Sequence, residues 1–351
     1  MELSFEQNTD DPPDSNSSVL NEEVSLKEPP KPSGSFFIKS VGDIEIVSDI
    51  EECRKLWQEF SPQKTLFDTW EFRYAFYQGY KFSSYFLLLK NRPTEGRHPE
   101  NLALLPLWYD SDRKIYTWFG SDWQEEVRFF AKDLNYIPIL ISAAPSPLLL
   151  NAVSPESAEP LRGKINFEND ESKYILNLAG FKNHEDFLMT LKKSKRRDLR
   201  KDRNRILRRN PEIIIDNFAD LEELIALSKE RFAQKGKETD WEDPRRIETF
   251  KEVIKLGGKS YQPRMITIKI NGKTAGVDLV CLFKKTYFTV KCGYNVKDFS
   301  GIGNFMNLFE IDDALKLGME KIDFLQNNYE WKDRFFEAVP LFRYFKSQTR
   351  Q

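Results

Sequence analysis

Apolar residues in the first part of the chain recur at two spacings, which predict a strand, two helices and three more strands. Residues 43–47 alternate as a strand does, while residues 49–60 and 67–77 carry apolar side chains at helical spacing. β-branched and aromatic runs then predict strands at residues 84–89, 102–109 and 114–119. The order is therefore one strand, two helices and three strands.

The same order returns later in the chain. Residues 212–217 predict a strand, and residues 219–234 and 243–256 predict two helices. Three strands are expected to follow, at residues 264–270, 275–283 and 286–294. Asn271-Gly272 joins the first pair, which is a strong signal for a hairpin. The repeated order predicts two similar units in tandem.

A glycine loop follows the last of these strands and precedes a further helix and strand. The helix is predicted at residues 304–318 and the strand at residues 321–325. A strand, a glycine loop and a helix N-terminus together form an anion site, because free amides and the helix dipole point at the loop. We expect a phosphate-bearing cofactor there, with an ordinary strand-to-helix turn as the alternative. The candidate cofactor-binding residues are Ser300, Gly301, Ile302, Gly303 and Asn304.

The predicted elements divide the chain into four parts. Residues 1–35 are rich in Glu, Asp, Ser, Asn and Pro, so we expect a disordered tail. The remaining parts are an N-terminal unit at residues 36–171, a connecting strand and helix at 172–210, and a C-terminal unit with the functional site at 211–351. Within the N-terminal unit, a charged helix is predicted at residues 123–132 and an apolar strand at residues 137–141.

The connecting helix, predicted at residues 183–209, is unusually basic. Between Lys192 and Arg209 it carries eleven Lys or Arg residues and two Asp residues. Like charges at helical spacing repel, and the sequence offers no compensating acidic row. Because Arg and Lys suit phosphate oxygens, we expect a polyanion or diphosphate ligand, with a solvated face as the alternative. The candidate substrate-binding residues on this helix are Lys195, Arg196, Arg197 and Arg200.

Composition excludes several classes of protein. The formal net charge of −2 indicates neither a nucleic-acid nor a membrane partner for the chain as a whole. Three cysteines make no disulfide framework, and two histidines distant from them in sequence make a metal site or a Cys-His nucleophile unexpected. No N-terminal apolar segment marks a signal peptide, and prolines interrupt the most apolar stretch, residues 136–153. We therefore expect a cytoplasmic protein without a transmembrane segment.

Several short motifs occur in a distinctive order. Residues 174–207 contain an apolar strand, a helix and the run Ser-Lys-Arg-Arg, and Gly293-Tyr294 later ends a strand. A Ser and Gly loop, a helix ending in Gly, and Asp323-Phe324-Leu325 with Trp331-Lys332 come next. This order resembles the GNAT acyltransferase fold. Its doubling resembles the Fem-type branch of that superfamily, over about residues 40–346.

The resemblance implies an α+β protein with two tandem GNAT-like (acyl-CoA N-acyltransferase) domains, whose mixed central sheets are flanked by helices. It implies an N-acyltransferase related to enzymes that build peptidoglycan cross-bridges and to proteins of polysaccharide biosynthesis. The expected co-substrate is acyl-CoA or aminoacyl-tRNA, and the expected acceptor is the amine of a small molecule or a cell-wall or glycan precursor. Asp298 and Phe299 stand where acetyl-CoA-binding GNAT loops have Arg or Gln.

Acyl transfer to an amine needs a polarised carbonyl and a group that takes up a proton. Asp323, at the start of a strand, and Asp278, which interrupts an apolar strand, are the candidate proton acceptors. Tyr294 is the candidate that protonates the leaving group, and Trp331 and Lys332 are assigned to substrate binding. A structural role is the alternative for each residue. The alternative for the chain is a non-catalytic module on a degenerate GNAT fold, with nucleic acid or an anionic glycan on the basic helix.

Overall fold

The computed structural model describes residues 35–38, 42–92, 98–121, 126–328 and 331–347. The described strands are β1 (Ser35–Ile38), β2 (Gly42–Val47), β3 (Ser83–Asn91), β4 (Asn101–Asp110), β5 (Ile115–Trp118), β6 (Phe130–Ala131), β7 (Leu148–Val153), β8 (Glu168–Asn177), β9 (Glu212–Ile215), β10 (Gln262–Ile270), β11 (Lys273–Phe283), β12 (Thr286–Tyr294), β13 (Lys321–Gln326) and β14 (Glu337–Lys346). The α-helices are α1 (Ile50–Phe60), α2 (Trp70–Tyr80), α3 (Ile137–Ala143), α4 (Pro155–Ala158), α5 (His184–Thr190), α6 (Lys193–Leu207), α7 (Leu221–Ala233), α8 (Pro244–Leu256) and α9 (Ile302–Lys316). The predicted tail lies outside the described residues except for its last residue, where β1 begins.

The predicted repetition of elements is confirmed. The order strand, helix, helix and three strands occurs first in β2, α1, α2, β3, β4 and β5, and again in β9, α7, α8, β10, β11 and β12. Two of the helices begin with a signal that the sequence carries. Asp49 accepts hydrogen bonds from the first amides of α1, and Asp243 caps α8, which has Pro244 in its first turn.

The strands form one mixed sheet, so the fold class is α+β as expected. Its order is β1-β2-β3-β4-β5-β7-β14-β8-β13-β12-β11-β10-β9, with β6 paired to β4. Within the described register, β12 pairs with β13 in parallel, and so does β5 with β7. The last strand, β14, lies between β7 and β8, so the sheet runs on from the first repeat into the second.

One hydrophobic cluster contains residues from both repeats. Helices α2 and α8 meet in it, with the rings of Phe76 and Phe250 6.1 Å apart. Gly79 of α2 makes the contact possible, because a Cβ there would lie 2.0 Å from the hydroxyl oxygen of Thr249. On the opposite face of the second repeat, α5, α6 and α9 cover a separate cluster. Among the described helices, none has both the length and the hydropathy to cross a bilayer.

The strand predicted at residues 137–141 is wrong, because these residues begin helix α3. Ile137, Leu140 and Ile141 are buried, and their spacing of three and four residues suits a helix. Pro138 lies in the first turn, where its missing N–H leaves no hydrogen bond unmade. A short apolar run has no periodicity that separates the two structures. Of the helix predicted at residues 123–132, residues 123–125 lie outside the described part and Phe130–Ala131 is strand β6.

The single helix predicted at residues 183–209 is also wrong, because the chain breaks between α5 and α6. Leu191 and Lys192 adopt extended conformations, with ψ angles of 156° and 142°. The break lets apolar residues of both helices reach one core, where Leu188 and Leu199 are buried. It also divides the acidic start of this segment, with Glu185 and Asp186, from its basic remainder.

Candidate active site

The parallel pairing of β12 with β13 ends early and leaves an opening in the sheet. Phe288 and Asp323 are the last paired residues, although β12 continues to Tyr294. On the other side, Leu325 and Asn327 have positive φ angles of 63° and 66°, which turn the chain at the end of β13. The two strands therefore separate beyond Phe288.

A β-bulge in β12 lies at this opening. Leu279 of β11 pairs with Lys291, but the next residue, Val280, pairs with Thr289. Val290 is thus the extra residue, two positions beyond the last pair between β12 and β13. A bulge interrupts the regular ladder and re-aims backbone groups, and bulges are frequent next to active sites. A carbonyl group that entered the opening would therefore face irregular backbone.

Lys332 holds the end of β13, beyond its last pair with β12. Its buried ammonium group donates hydrogen bonds to the carbonyl oxygens of Phe324 and Gln326, the latter at 2.7 Å, and contacts that of Leu325 at 3.4 Å. These carbonyl groups belong to the segment after Asp323, which no longer pairs with β12. The geometry favours a role for Lys332 in keeping the opening in place over its predicted contact with a phosphate.

Asp278 and Tyr294 lie together on the face of the sheet that α9 covers. Val277 and Leu279 point into the core on the opposite face, so Asp278 between them points towards α9. The Tyr294 hydroxyl donates to Asp278 Oδ2 at 3.0 Å. Asp278 is buried and Tyr294 is half-buried, with Gly303 of α9 against its ring. The sequence therefore predicted two groups that the structure brings into contact.

Glu310 of α9 completes this cluster with a second buried carboxyl group. Asp278 Oδ1 and Glu310 Oε1 are both buried and find no donor among the described side chains and backbone groups. The two carboxyl groups are within hydrogen-bond reach of each other. One proton between them would therefore give each group a hydrogen-bond partner. Burial raises the pKa of Asp278 to about 7, against the opposing effect of the Tyr294 hydroxyl. Burial and the neighbouring Asp278 raise the pKa of Glu310 well above its usual range.

Asp323 lies on the other face of the sheet, away from Asp278. Its neighbours Ile322 and Phe324 point into the core under α9, so Asp323 points to the opposite side. Its Oδ1 accepts from the Leu325 amide at 3.0 Å, and its Oδ2 lies 2.8 Å from Lys173 Nζ. Lys173 is itself buried and also forms an ion pair with Glu126. With both oxygens engaged, Asp323 is better suited to structure than to proton transfer.

The predicted cofactor loop is covered by α6. Asp202 Oδ2 accepts from Asn304 Nδ2 at 2.7 Å, and a Cβ on Gly301 would lie 2.8 Å from the Asp202 side chain. Arg205 donates to the hydroxyl group of Ser300 at 2.9 Å. The backbone of the loop and the first turn of α9 are thus held by residues of the basic helix.

The four predicted basic residues of α6 have different surroundings. Arg200 forms an ion pair with Glu185 of α5, so part of the positive charge is compensated after all. Arg196 Nη1 lies 3.3 Å from the Met189 sulfur, and Arg197 is exposed, 3.6 Å from Asp198. Lys195 is half-buried at the start of α6. The half-buried Trp331 packs near the rings of Phe335 and Phe336, at the edge of the core under α9.

A family model described as acetyltransferase (GNAT) domain matches residues 193–333, which span α6 to the segment after β13. Residues 193–333 are therefore a GNAT domain. The matched GNAT domain contains the opening, the bulge, Asp278, Tyr294 and Glu310. No curated protein is significantly similar in sequence to the chain.

Solved structures share the overall fold with this chain at low sequence identity. The crystal structure of FemX aligns with a TM-score of 0.56 at 10% identity, over 87% of this chain and 98% of that one. A protein of unknown function from Bacteroides thetaiotaomicron gives 0.54 at 13% identity, over 86% and 98%. L-PGS from Bacillus licheniformis gives 0.51 at 11% identity, over 87% and 93%. The α+β architecture is thus the Fem-like form of the GNAT fold.

GNAT domains typically use acyl-CoA as co-substrate, but the loop before α9 does not fit the phosphates of that molecule. A phosphate group would need the space at the helix N-terminus that Asp202 fills. The carboxylate would also repel it. We therefore assign no cofactor contact to Ser300, Gly301, Ile302, Gly303 or Asn304 in the arrangement described here.

Three functional candidates were missed from the sequence. Glu310 falls on the buried stripe of α9, four residues after Met306 and four before Ala314, which is a signal that the periodicity carries. Lys173 lies in a strand beside the buried Tyr174, where burial of an unpaired charge would be costly. Asp202 carries a weaker signal, as one of only two acidic residues in a basic helix.

Proposed function

We propose that the chain is an N-acyltransferase, which moves an acyl or aminoacyl group from a thioester or aminoacyl-tRNA donor to an amine. The observation that carries the proposal is the coincidence of the opening beyond Phe288 with the bulge at Val290. The match of residues 193–333 to a GNAT domain supports transfer of this general kind. A cell-wall or polysaccharide precursor is the acceptor that the Fem-like fold suggests.

In the proposed reaction, the donor carbonyl enters the opening and its oxygen accepts a hydrogen bond from an amide of the bulge. The nitrogen of the acceptor amine attacks the carbonyl carbon, so that a C–N bond forms and the C–O or C–S bond of the donor breaks. The amine loses one proton, and the leaving oxygen or sulfur departs as an anion that takes up a proton. Neither step requires a covalent intermediate on the protein.

Asp278 and Tyr294 are the groups that we assign to the movement of protons. In the ladder, Asp278 pairs with Cys292, two residues beyond the bulge. With its pKa raised by burial to about 7, the carboxylate is a stronger base than an exposed aspartate. The proton passes from the amine to the Tyr294 oxygen as the hydroxyl proton moves to Asp278. The reverse movement then delivers a proton from Tyr294 to the leaving oxygen or sulfur.

Product detection tests this proposal directly. The purified full chain is incubated with acyl-CoA, an acyl-pantetheine thioester or aminoacyl-tRNA, each with a panel of amines that includes free amino acids, amino sugars and peptidoglycan precursors. Mass spectrometry is expected to find an amine heavier by one acyl or aminoacyl group, in amounts that grow with protein concentration. No acylated amine from any combination would contradict the proposal.

The exposed cations of α6 favour a second function, the binding of a polyanion. Lys192, Lys193, Arg197 and Lys201 are exposed along this helix or at its start. Such a surface suits the phosphates of a nucleic acid, including the tRNA of an aminoacyl donor, or an anionic glycan. Fluorescence anisotropy with labelled tRNA is expected to show affinity that falls steeply with salt. Salt-dependent binding together with no transfer product would favour a non-catalytic module.

A further inference from the structure

The N-terminus of α9 already has an anion next to it. The helix begins after Gly301, which has a φ of 89°, and in the described structure no side chain caps it and its first turn has no acidic residue. Helix N-termini attract anions, because their amides point outward and the helix dipole is positive there. The carboxylate of Asp202 approaches this end from α6, where it accepts a hydrogen bond from the side chain of Asn304.

Asp202 makes close contacts with α9, with the loop before it and with a residue of its own helix. Its Oδ2 accepts from Asn304 Nδ2 at 2.7 Å, and its Oδ1 lies 3.2 Å from Arg205 Nη1. A Cβ on Gly301 would meet both the Cβ and the Cγ of Asp202 at 2.8 Å. Only a glycine therefore permits this approach between α6 and the loop. A phosphate group at this end of α9 would meet the Asp202 carboxylate.

We propose that Asp202 determines donor specificity, by taking the place of a ligand anion and excluding the diphosphate of a coenzyme A donor from the N-terminus of α9. The sequence agrees with this role, since Asp298 and Phe299 precede the glycines in place of a cationic or amide side chain. The inference bears on the donor of the proposed reaction, but it concerns anion binding alone. If no acyl transfer were detected, the role of Asp202 in anion binding could still be tested by the same binding measurements.

Removal of the carboxylate is expected to create the anion site. Isothermal titration of the full chain with inorganic pyrophosphate and with coenzyme A should give weak or undetectable binding to the wild type. Asp202→Ala frees both space and charge, and we expect its affinity for each probe to rise about tenfold or more. Asp202→Asn keeps an oxygen that accepts from Asn304 while it removes the charge, so a smaller gain of about threefold is expected.

Asp198→Asn is the matched control. Asp198 lies one turn earlier on α6 and is exposed, and its replacement changes the net charge by the same amount. Its affinity for both probes should remain within about twofold of the wild type, since surface charges at a distance are screened. An equal gain in Asp198→Asn would overturn the proposal, because it would show an effect of net charge alone.

Two further results would overturn it. The first is wild-type affinity for coenzyme A equal to that of Asp202→Ala. The second is no gain in either variant at position 202 when circular dichroism and the melting temperature match the wild type. If Asp202→Ala does not fold, Asp202→Asn decides, because its hydrogen bond to Asn304 is retained and its gain is still required.

Discussion

At the residue scale, their hydrogen-bond partners separate the two aspartates that the sequence put forward as proton acceptors. Asp323 is held by an ammonium group and a backbone amide, whereas Asp278 faces a hydroxyl group and a second carboxyl group. Both carboxyl groups were visible in the sequence as acids within apolar strands. Their different surroundings depend on Lys173 and Glu310, which lie far from them along the chain, so the sequence alone did not rank them.

Burial of the Asp278 carboxyl group beside Glu310 makes stability depend on pH in the direction that its raised pKa sets. Folding raises the pKa of Asp278 from 3.8 to about 7, so the folded state keeps a proton that the unfolded chain has lost in that range. Its contribution to the free energy of unfolding therefore decreases as the pH rises from about 4 to about 7. We expect Asp278→Asn to become more stable relative to the wild type over this window, as measured by urea denaturation.

Glu222→Gln provides the control for that measurement, because Glu222 is exposed at the start of α7. Its stability relative to the wild type should stay nearly constant between pH 4 and 7. A difference between Asp278→Asn and the wild type that is equally flat would show that the carboxyl pair does not share a proton.

Replacement of Lys332 should destabilise the protein through the carbonyl groups that it holds. Lys332→Met leaves the buried carbonyl groups of Phe324 and Gln326 without this donor. We expect a loss of about 2–4 kcal/mol in the free energy of unfolding, measured with urea. Lys297→Met, at an exposed position, should change it by less than about 0.5 kcal/mol. Equal effects of the two changes would contradict the role given to Lys332.

At the element scale, local periodicity predicted most helices and strands, but it did not predict where two elements meet. The strand at β12 was placed at residues 286–294, as the structure has it, since its β-branched and aromatic run is long. The break between α5 and α6 was missed because no Gly or Pro marks it; packing on α9 determines it. The close approach of α6 to the loop at Gly301 is likewise a tertiary feature.

Two glycine substitutions measure that close approach. Gly301 and Gly180 both have positive φ angles, of 89° and 84°, but only at Gly301 would an added Cβ meet a neighbour within 4 Å. Gly180→Ala should cost about 1 kcal/mol from backbone conformation alone. Gly301→Ala should cost about 1–3 kcal/mol more, because its methyl group meets Asp202. Urea denaturation compares the two, and equal costs would contradict the close contact of α6 with this loop.

At the scale of the whole molecule, one sheet and one core contain residues of both repeats, which no local sequence pattern predicts. Strand β14 completes the sheet between β7 and β8, and no local pattern in the sequence predicts these partners. The ion pairs of Lys173 with Glu126 and Asp323 add a buried link across the same region. The boundaries at residues 171/172 and 210/211 remain predictions, because the continuous sheet does not separate the parts.

The shared core predicts that both repeats unfold together. Phe76 of α2 is buried against Phe250 of α8, so Phe76→Ala should lower the free energy of unfolding by about 3–5 kcal/mol. Circular dichroism and tryptophan fluorescence should still report one coincident urea transition, since Trp57 and Trp241 lie in the same cluster. Two separate transitions, with only the first shifted by the substitution, would contradict a common core.

The rate of transfer by Asp278→Asn tests the proposed chemistry most directly. With the donor and amine that give product, single-turnover rates are measured at saturating donor between pH 6 and 9, and donor affinity is measured separately. We expect the variant to bind the donor as the wild type does, to transfer about 100-fold more slowly, and to lose the rise of rate with pH near 7. Transfer by Asp278→Asn at the wild-type rate, with the same pH dependence, would contradict proton uptake at this carboxyl group.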